Sequence, residues 1–208
     1  MKKNPLKTLP KKSGFINTKP IYKALVIGVS AGGLKALTAL IPALPKDFPL
    51  AIIIVQHRKH ETDDYLVPYL NDLSEMSVTA ATIGAPLVAG FVYIAPSGYH
   101  LLVERDCTFS LSIDTRVNYS IPSIDVLFDS AAICYQEQLI GLILTGANHD
   151  GSLGLKNINL YRGLSLVQQP ATAEYAAMPL AAIEASQIDH IIPLNDIANF
   201  LTTLVMSR

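Results

Sequence analysis

Residues 24–33 read Ala-Leu-Val-Ile-Gly-Val-Ser-Ala-Gly-Gly, an apolar run that leads directly into a serine between glycines. The run predicts a buried β-strand over residues 24–27, and the glycine-rich turn predicts that a helix starts at Gly33. A strand that turns at once into a helix raises the Ser30 hydroxyl above the sheet edge and leaves backbone N–H groups beside it. The stretch therefore favours an α/β fold with a reactive serine at the end of its first strand.

The same stretch does not fit the dinucleotide-binding pattern G-x-G-x-x-G, because Ser30 stands at the middle glycine. The second predicted strand ends in Gln56 and His57, so the acidic residue that binds a ribose is also missing. A glycine-rich turn after a first strand is nevertheless typical of phosphate-binding folds. Taken alone, this motif leaves a hydrolase and a phosphate- or nucleotide-binding protein as alternatives.

The composition indicates one globular domain, since the 208 residues are 50% hydrophobic and 16% charged. No uninterrupted apolar stretch reaches the roughly 18 residues that span a bilayer, so we expect no membrane insertion. Seven lysines and no acidic residue occur in residues 1–23, and the apolar segment of a secretory signal does not follow them. We expect a flexible basic tail over residues 1–22, a single domain over residues 23–208, and a cytoplasmic protein.

The charge of the predicted domain excludes one class of partner. From Ala24 onward the chain has nine basic and 17 acidic residues, a formal charge of −8. An acidic domain argues against nucleic-acid binding. Cys107 and Cys134 are far apart in the chain and lack the spacing of a metal site, so we predict reduced thiols in a packed cytosolic protein.

Short apolar runs alternate with segments of helical periodicity, which predicts a doubly wound, mostly parallel sheet with helices on both faces. A small antiparallel hairpin is predicted over residues 101–113. The predicted strands of the main sheet are 24–27, 50–55, 90–95, 139–144, 164–168 and 191–192. The predicted helices are 33–44, 63–73, 123–132 with Ser123 as its N-cap, 154–161, 180–186 and 195–206.

Three polar residues follow predicted strands and are candidates for a catalytic triad: Ser30, His57 and Asp150. The carboxyl ends of parallel strands lie at one edge of a sheet, where reactive groups gather. A serine needs an imidazole to take its proton, and the imidazole needs an acceptor for its other nitrogen. The order along the chain differs from that of the α/β-hydrolases, in which the acid precedes the histidine.

Each member of this set also has a plain structural interpretation. His57 alone could end a buried strand, and Asp150 before Gly151 could be a turn or capping residue. His149 competes with His57 as the base, because it stands next to the acid. His100 is open to a structural role, and we expect His60 and His190 at the surface.

The chain from about Tyr22 to its C-terminus resembles the catalytic domain of the chemotaxis protein-glutamate methylesterases, the CheB family. The segments that carry the resemblance occur in the family's order. They are Ile27-Gly28-Val29-Ser30-Ala31-Gly32-Gly33, Val55-Gln56-His57, Tyr93-Ile94-Ala95-Pro96, His100, Pro122-Ser123-Ile124-Asp125-Val126-Leu127-Phe128, Leu144-Thr145-Gly146, Asp150-Gly151, Gln168 and Met178-Pro179.

By this resemblance Ser30 is the nucleophile, His57 the general base and Asp150 the buried acid. It also implies that backbone N–H groups near Ala31 and at Ala147 form the oxyanion hole. The positions that would line the site are Ala31, Gly32, Ala147, His100 and Met178.

The implied reaction is the hydrolysis of glutamate γ-methyl esters on the helical cytoplasmic region of a chemoreceptor or a similar signalling protein. Glutamine deamidation is a related activity, and no cofactor is implied. Members of the family usually carry an N-terminal receiver domain, whereas here we expect a stand-alone catalytic domain without control by phosphorylation in cis.

The sequence departs from the family pattern at three places. Ala31 replaces the usual threonine, His149 adds an imidazole beside the acid, and Tyr119-Ser120-Ile121 replaces basic residues before Pro122. These departures leave a second hypothesis, a signalling module that keeps the fold and binds a partner without catalysis.

Overall fold

A computed structural model describes residues 21–58 and 65–206 of the chain. The predicted tail over residues 1–22 lies almost wholly outside the described residues, as does His60. The predicted α/β architecture is confirmed: seven strands form one parallel sheet, and two further strands form a separate antiparallel hairpin.

The strands of the main sheet lie in the order β3-β4-β2-β1-β7-β8-β9, and every pair of neighbours is parallel. The nine strands are β1 Ala24–Val29, β2 Ala51–Gln56, β3 Ser77–Ala80, β4 Phe91–Ile94, β5 His100–Val103, β6 Phe109–Ser112, β7 Leu139–Ile143, β8 Leu164–Gln168 and β9 His190–Ile192. The six α-helices are α1 Gly33–Leu40, α2 Leu66–Leu73, α3 Ile124–Tyr135, α4 Ser152–Leu160, α5 Ala177–Ala185 and α6 Ile197–Met206.

Alternate residues of the strands face two separate cores, as a sheet covered on both sides requires. In β1, Leu25 and Ile27 pack with α1, α2 and α6, whereas Val26 packs with α3, α4 and α5 on the other face. The hairpin β5–β6 joins the second core through residues such as Phe109, which is 1% exposed. Both faces of the central strands are therefore buried, which explains their continuous apolar runs.

The structure corrects several predicted bounds. Helix α1 ends at Leu40 rather than residue 44, and a 3₁₀ turn over Ile41–Ala43 follows, because Pro42 has no N–H for an α-helical hydrogen bond. Strand β3 was not predicted, since only Val78 of its four residues is buried and an edge strand needs no apolar alternation.

None of the helices in the described ranges is long and apolar enough to cross a bilayer.

Candidate active site

Three adjacent strands bring the predicted residues to one edge of the sheet. β1 lies between β2 and β7, with Gly28 level with Val55 on one side and Ile143 on the other. The Ser30 N–H donates to the Thr145 carbonyl at 3.0 Å, and the His57 N–H donates to the Val29 carbonyl at 3.1 Å. The loops that follow the three strands therefore start side by side.

The close approach of helix α3 to this edge depends on Gly28. A Cβ atom at Gly28 would lie 2.4 Å from Ile124 Cγ2, inside van der Waals contact. Ile124 is the first residue of α3, so a side chain at Gly28 would push the start of that helix away from the loop that follows β7.

Asp150 is fully buried in its side chain and receives hydrogen bonds from five groups. Its Oδ2 accepts from His57 Nε2 at 2.8 Å and from the Ile124 N–H at 2.7 Å. Its Oδ1 accepts from Ser123 Oγ at 2.9 Å, from Asn118 Nδ2 at 3.0 Å and, more weakly, from the Asp125 N–H at 3.2 Å.

These contacts change the interpretation of Ser123. It stands at the N-cap position of α3, as predicted, but its side chain makes no capping hydrogen bond to the helix. The Asp150 carboxylate accepts from the first N–H groups of α3 instead, which also places a negative charge at the positive end of the helix dipole. The start of α3 therefore holds the Asp150 carboxylate in place in addition to its contact with the imidazole.

The ionisation of Asp150 follows from the same contacts. Burial alone would raise the pKa of Asp150, but the hydrogen bonds from His57, Asn118 and the Ile124 N–H outweigh burial and hold the pKa below its ordinary value. In neighbouring Asp125 burial prevails, and the charge of Asp150 adds to it, so the pKa of Asp125 is raised. Asp150 is therefore an ionised acceptor at neutral pH.

Ser30 and His57 both lie next to one amide. Asn148 Nδ2 is 3.0 Å from His57 Nδ1 and 3.4 Å from Ser30 Oγ. No hydrogen bond joins Ser30 Oγ directly to His57 in the described part of the chain. Ser30 and His57 thus line one cleft and share a contact with the Asn148 amide, and His57 contacts the buried Asp150.

The two backbone donors predicted for the oxyanion hole have no protein partner among the described residues. Neither the Ala31 N–H nor the Ala147 N–H donates to a protein acceptor there. Gly32 adopts a left-handed conformation with φ of 75°, which ends the turn after Ser30 and starts α1.

The remaining predicted site residues lie farther from the cleft. His100 is 1% exposed, and its Nδ1 accepts from the Ser123 N–H at 3.1 Å, so it contacts a partner of Asp150 rather than the cleft. Met178 is 1% exposed and packs against Gly146, which precedes Ala147. His149 is exposed and its ring makes no contact with Asp150, so it does not take the place of His57.

Several residues of the cleft were not predicted from the sequence. The cleft is lined by Ser30, His57, Arg58, Arg116, Tyr119, Ser120, Ile121 and Asn148. Asn148 had a usable signal, because it lies in the loop after β7 that also carries Asp150. Arg116 in the cleft and Asn118, which contacts Asp150, had no such sequence signal. Both lie between the hairpin and α3 and follow no strand of the main sheet.

No group of three or more His, Cys, Asp or Glu side chains within 21–58 and 65–206 is arranged to hold a metal ion.

Comparison with known proteins gives a consistent result. A putative protein-glutamate methylesterase/protein-glutamine glutaminase of Leptospira interrogans is 48% identical over 183 residues, which cover 88% of this chain and 95% of that protein. A protein-glutamate methylesterase/protein-glutamine glutaminase of Thermotoga maritima is 35% identical over 201 residues. The match covers 94% of this chain and 58% of that longer protein.

A solved structure agrees with the sequence matches. The crystal structure of the Thermotoga maritima CheB methylesterase catalytic domain superposes with a TM-score of 0.85 at 35% identity, covering 88% of this chain and 99% of that one. The family model described as CheB methylesterase matches residues 25–201, which include all three strand-end residues. The chain therefore belongs to the CheB methylesterase family, whose members are carboxylic ester hydrolases.

Proposed function

We propose that this protein hydrolyses glutamate γ-methyl esters on the helical cytoplasmic region of chemoreceptors or similar signalling proteins, with Ser30, His57 and Asp150 as its triad. The observation that carries the proposal is the 2.8 Å hydrogen bond between His57 and the buried carboxylate of Asp150, in a cleft that also contains Ser30. Family membership supports the ester substrate.

Acylation starts when the Ser30 hydroxyl attacks the ester carbonyl carbon and its proton passes to His57 Nδ1. Asp150 accepts the Nε2–H of His57, so the imidazole keeps its lone pair at Nδ1 and the imidazolium that forms is stabilised. The carbonyl oxygen becomes an oxyanion, and in this proposal the backbone N–H groups of Ala31 and Ala147 bind it. Neither group donates to another acceptor among the described residues.

The intermediate collapses when the C–O bond to the methoxy group breaks and the proton on His57 passes to that group, which releases methanol. Water then attacks the acyl-enzyme, and His57 again takes a proton and returns it to Ser30. The product is a glutamate carboxylate on the substrate protein. A glutaminyl side chain would react in the same way with release of ammonia, the related activity in the names of relatives.

The test is methanol release from a methylated chemoreceptor cytoplasmic fragment by the Ser30→Ala variant. We expect turnover to fall by about 10⁴-fold or more, because the nucleophile is lost while the oxyanion donors remain. Ser120→Ala is the matched control, since Ser120 lines the same cleft and, among the described residues, its hydroxyl donates only to the Asn118 carbonyl. Undiminished turnover by Ser30→Ala would contradict the proposal.

A fluorophosphonate probe separates catalysis from a binding module that only keeps the fold. Covalent labelling that requires both Ser30 and His57 is expected of the esterase. A folded protein that is not labelled would favour the non-catalytic alternative.

A further inference from the structure

Asn148 lies at the centre of the cleft, and its amide orientation is fixed by the backbone. Its Oδ1 accepts from the Asp150 N–H at 3.0 Å. A backbone N–H can only donate, so the amide oxygen must face Asp150 and the amide nitrogen must face His57 and Ser30. The 3.0 Å contact between Asn148 Nδ2 and His57 Nδ1 is therefore a hydrogen bond from the amide to the imidazole.

Both neighbours of the imidazole select the same tautomer. The ionised Asp150 carboxylate can only accept, so His57 Nε2 carries the hydrogen. The Asn148 amide can only donate at its nitrogen, so His57 Nδ1 carries a lone pair. This lone pair is the one that must accept the Ser30 proton, and in the structure the amide occupies it.

We propose that Asn148 is a positioning residue that holds the Nδ1 lone pair of His57 in the resting enzyme and releases it to the Ser30 hydroxyl when the ester binds. The inference rests on the proposed function, because it assigns His57 as the base. The amide is also 3.4 Å from Ser30 Oγ, so the hydroxyl and the imidazole are neighbours of the same donor.

The amide competes with the Ser30 hydroxyl for one acceptor. The Nδ1 lone pair of His57 accepts from Asn148 Nδ2 in the structure, and the same lone pair must accept the Ser30 proton during attack. Removal of the amide ends this competition, so we expect Ser30 to react faster.

Other charged groups near His57 stay the same when Asn148 is changed. Asp150 contacts Nε2, and Arg58 and Arg116 line the same cleft. Asp125 is joined to Asp150 through Asn118. A change in the labelling rate of an Asn148 variant is therefore attributable to the amide.

The test uses the full chain and the rate of labelling by a fluorophosphonate between pH 5 and pH 9, in the wild type, Asn148→Ser and Asn148→Gly. The serine variant can still accept from the Asp150 N–H but cannot reach His57, whereas the glycine variant loses both contacts. We expect the labelling rate to rise about two- to tenfold in both variants at the alkaline end of this range.

A merely structural role for Asn148 predicts slower labelling of both variants, and that result would overturn the inference. Wild-type protein that is not labelled, or labelling that survives Ser30→Ala, would overturn the proposed function as well. The thermal midpoint of each variant checks its folding.

Nitrogen-15 NMR of the wild-type histidines tests the inference without any change at Asn148. His57, assigned by the signal that is lost in His57→Gln, is expected to carry its hydrogen on Nε2 when neutral, with an unprotonated Nδ1. A neutral His57 with its hydrogen on Nδ1 would contradict the hydrogen bond from Asn148.

Discussion

At the scale of single residues, the positions that the sequence identified share one property: they follow strands of a parallel sheet. Ser30, His57 and Asp150 could be predicted because the end of a buried strand is visible as the end of an apolar run. Asn148 follows β7 as Asp150 does and could have been considered on that ground, whereas Asn118, which is 3.0 Å from the acid, follows no strand of the main sheet. Their roles depend on which loops meet in space.

Asp150 and Asp125 lie side by side but contribute to stability in opposite ways. The pKa of Asp150 is lowered in the folded state, so its carboxylate stabilises the fold above its ordinary pKa, and this stabilisation is lost as the pH falls through the folded value. The pKa of Asp125 is raised, so its charge destabilises the fold as the pH rises through the folded value.

We therefore expect Asp150→Asn to lower the free energy of unfolding by about 3 kcal/mol at pH 7, because charged hydrogen bonds to buried donors are lost. The difference from the wild type should shrink as the pH falls below about 4. Urea unfolding across a pH series measures both quantities.

Asp125→Asn is the control with the opposite sign. As the pH rises, the unfolding free energy of Asp125→Asn should increase relative to that of the wild type, because the variant lacks the buried charge. If the unfolding free energies of both variants changed with pH in the same direction relative to the wild type, the opposite pKa shifts of Asp150 and Asp125 would be contradicted.

At the scale of elements, the bounds that the sequence predicted well belong to segments buried on both faces. Strand β8, Leu164–Gln168, has the predicted bounds, because its apolar run is bounded by a glycine and polar residues. Strand β3 was missed because it lies at the edge of the sheet, where three of its four residues are exposed. Helix α5 begins at Ala177 rather than residue 180, since an alanine-rich start has little periodicity to mark it.

The packing of α3 against β1 gives a prediction at this scale. A Cβ at Gly28 would lie 2.4 Å from Ile124 Cγ2 and 3.0 Å from Ile143 Cδ1, so we expect Gly28→Ala to cost about 1–3 kcal/mol of unfolding free energy. The displaced α3 would also weaken the hydrogen bond from the Ile124 N–H to Asp150, so fluorophosphonate labelling should slow. Urea unfolding and the labelling rate are the measurements.

A double-mutant cycle shows whether the clash is the cause. Ile124→Ala removes Cγ2 and Cδ1, the Ile124 atoms that crowd Gly28, so the cost of Gly28→Ala should shrink in the Ile124→Ala background. An equal cost in both backgrounds would show that Gly28 is required for another reason.

At the scale of the whole molecule, tertiary contacts bring together residues that the sequence separates. The sulfur atoms of Cys107 and Cys134 are 3.2 Å apart, although 27 positions divide them, and both are free thiols. The hairpin and α3 form this contact, which no spacing of cysteines in the chain indicates. The basic lining of the cleft is a second such feature, because Arg58 and Arg116 come from distant segments.

This lining bears on how an acidic substrate binds an acidic protein. The chain from Ala24 onward has a formal charge of −8. In the proposed function the substrate is a protein with modified glutamates, and we expect it to carry unmodified carboxylates as well. Basic residues are absent at Tyr119, Ser120 and Ile121, where the family commonly has them, but Arg116 lines the cleft beside these positions. Arg116 is exposed, and its guanidinium donates to the Tyr119 carbonyl at 3.4 Å.

We expect Arg116→Gln to raise KM for a methylated chemoreceptor fragment about threefold to tenfold at low ionic strength, because one unscreened charge near a surface contributes about 1 kcal/mol. The effect should fade as salt is added, since the Debye length falls to about 3 Å at 1 M. Arg105→Gln is the matched control: Arg105 is equally exposed but lies in the hairpin turn and does not line the cleft. An equal rise in KM for both variants would mean that only net charge matters, and an unchanged KM for Arg116→Gln would remove Arg116 from substrate recognition.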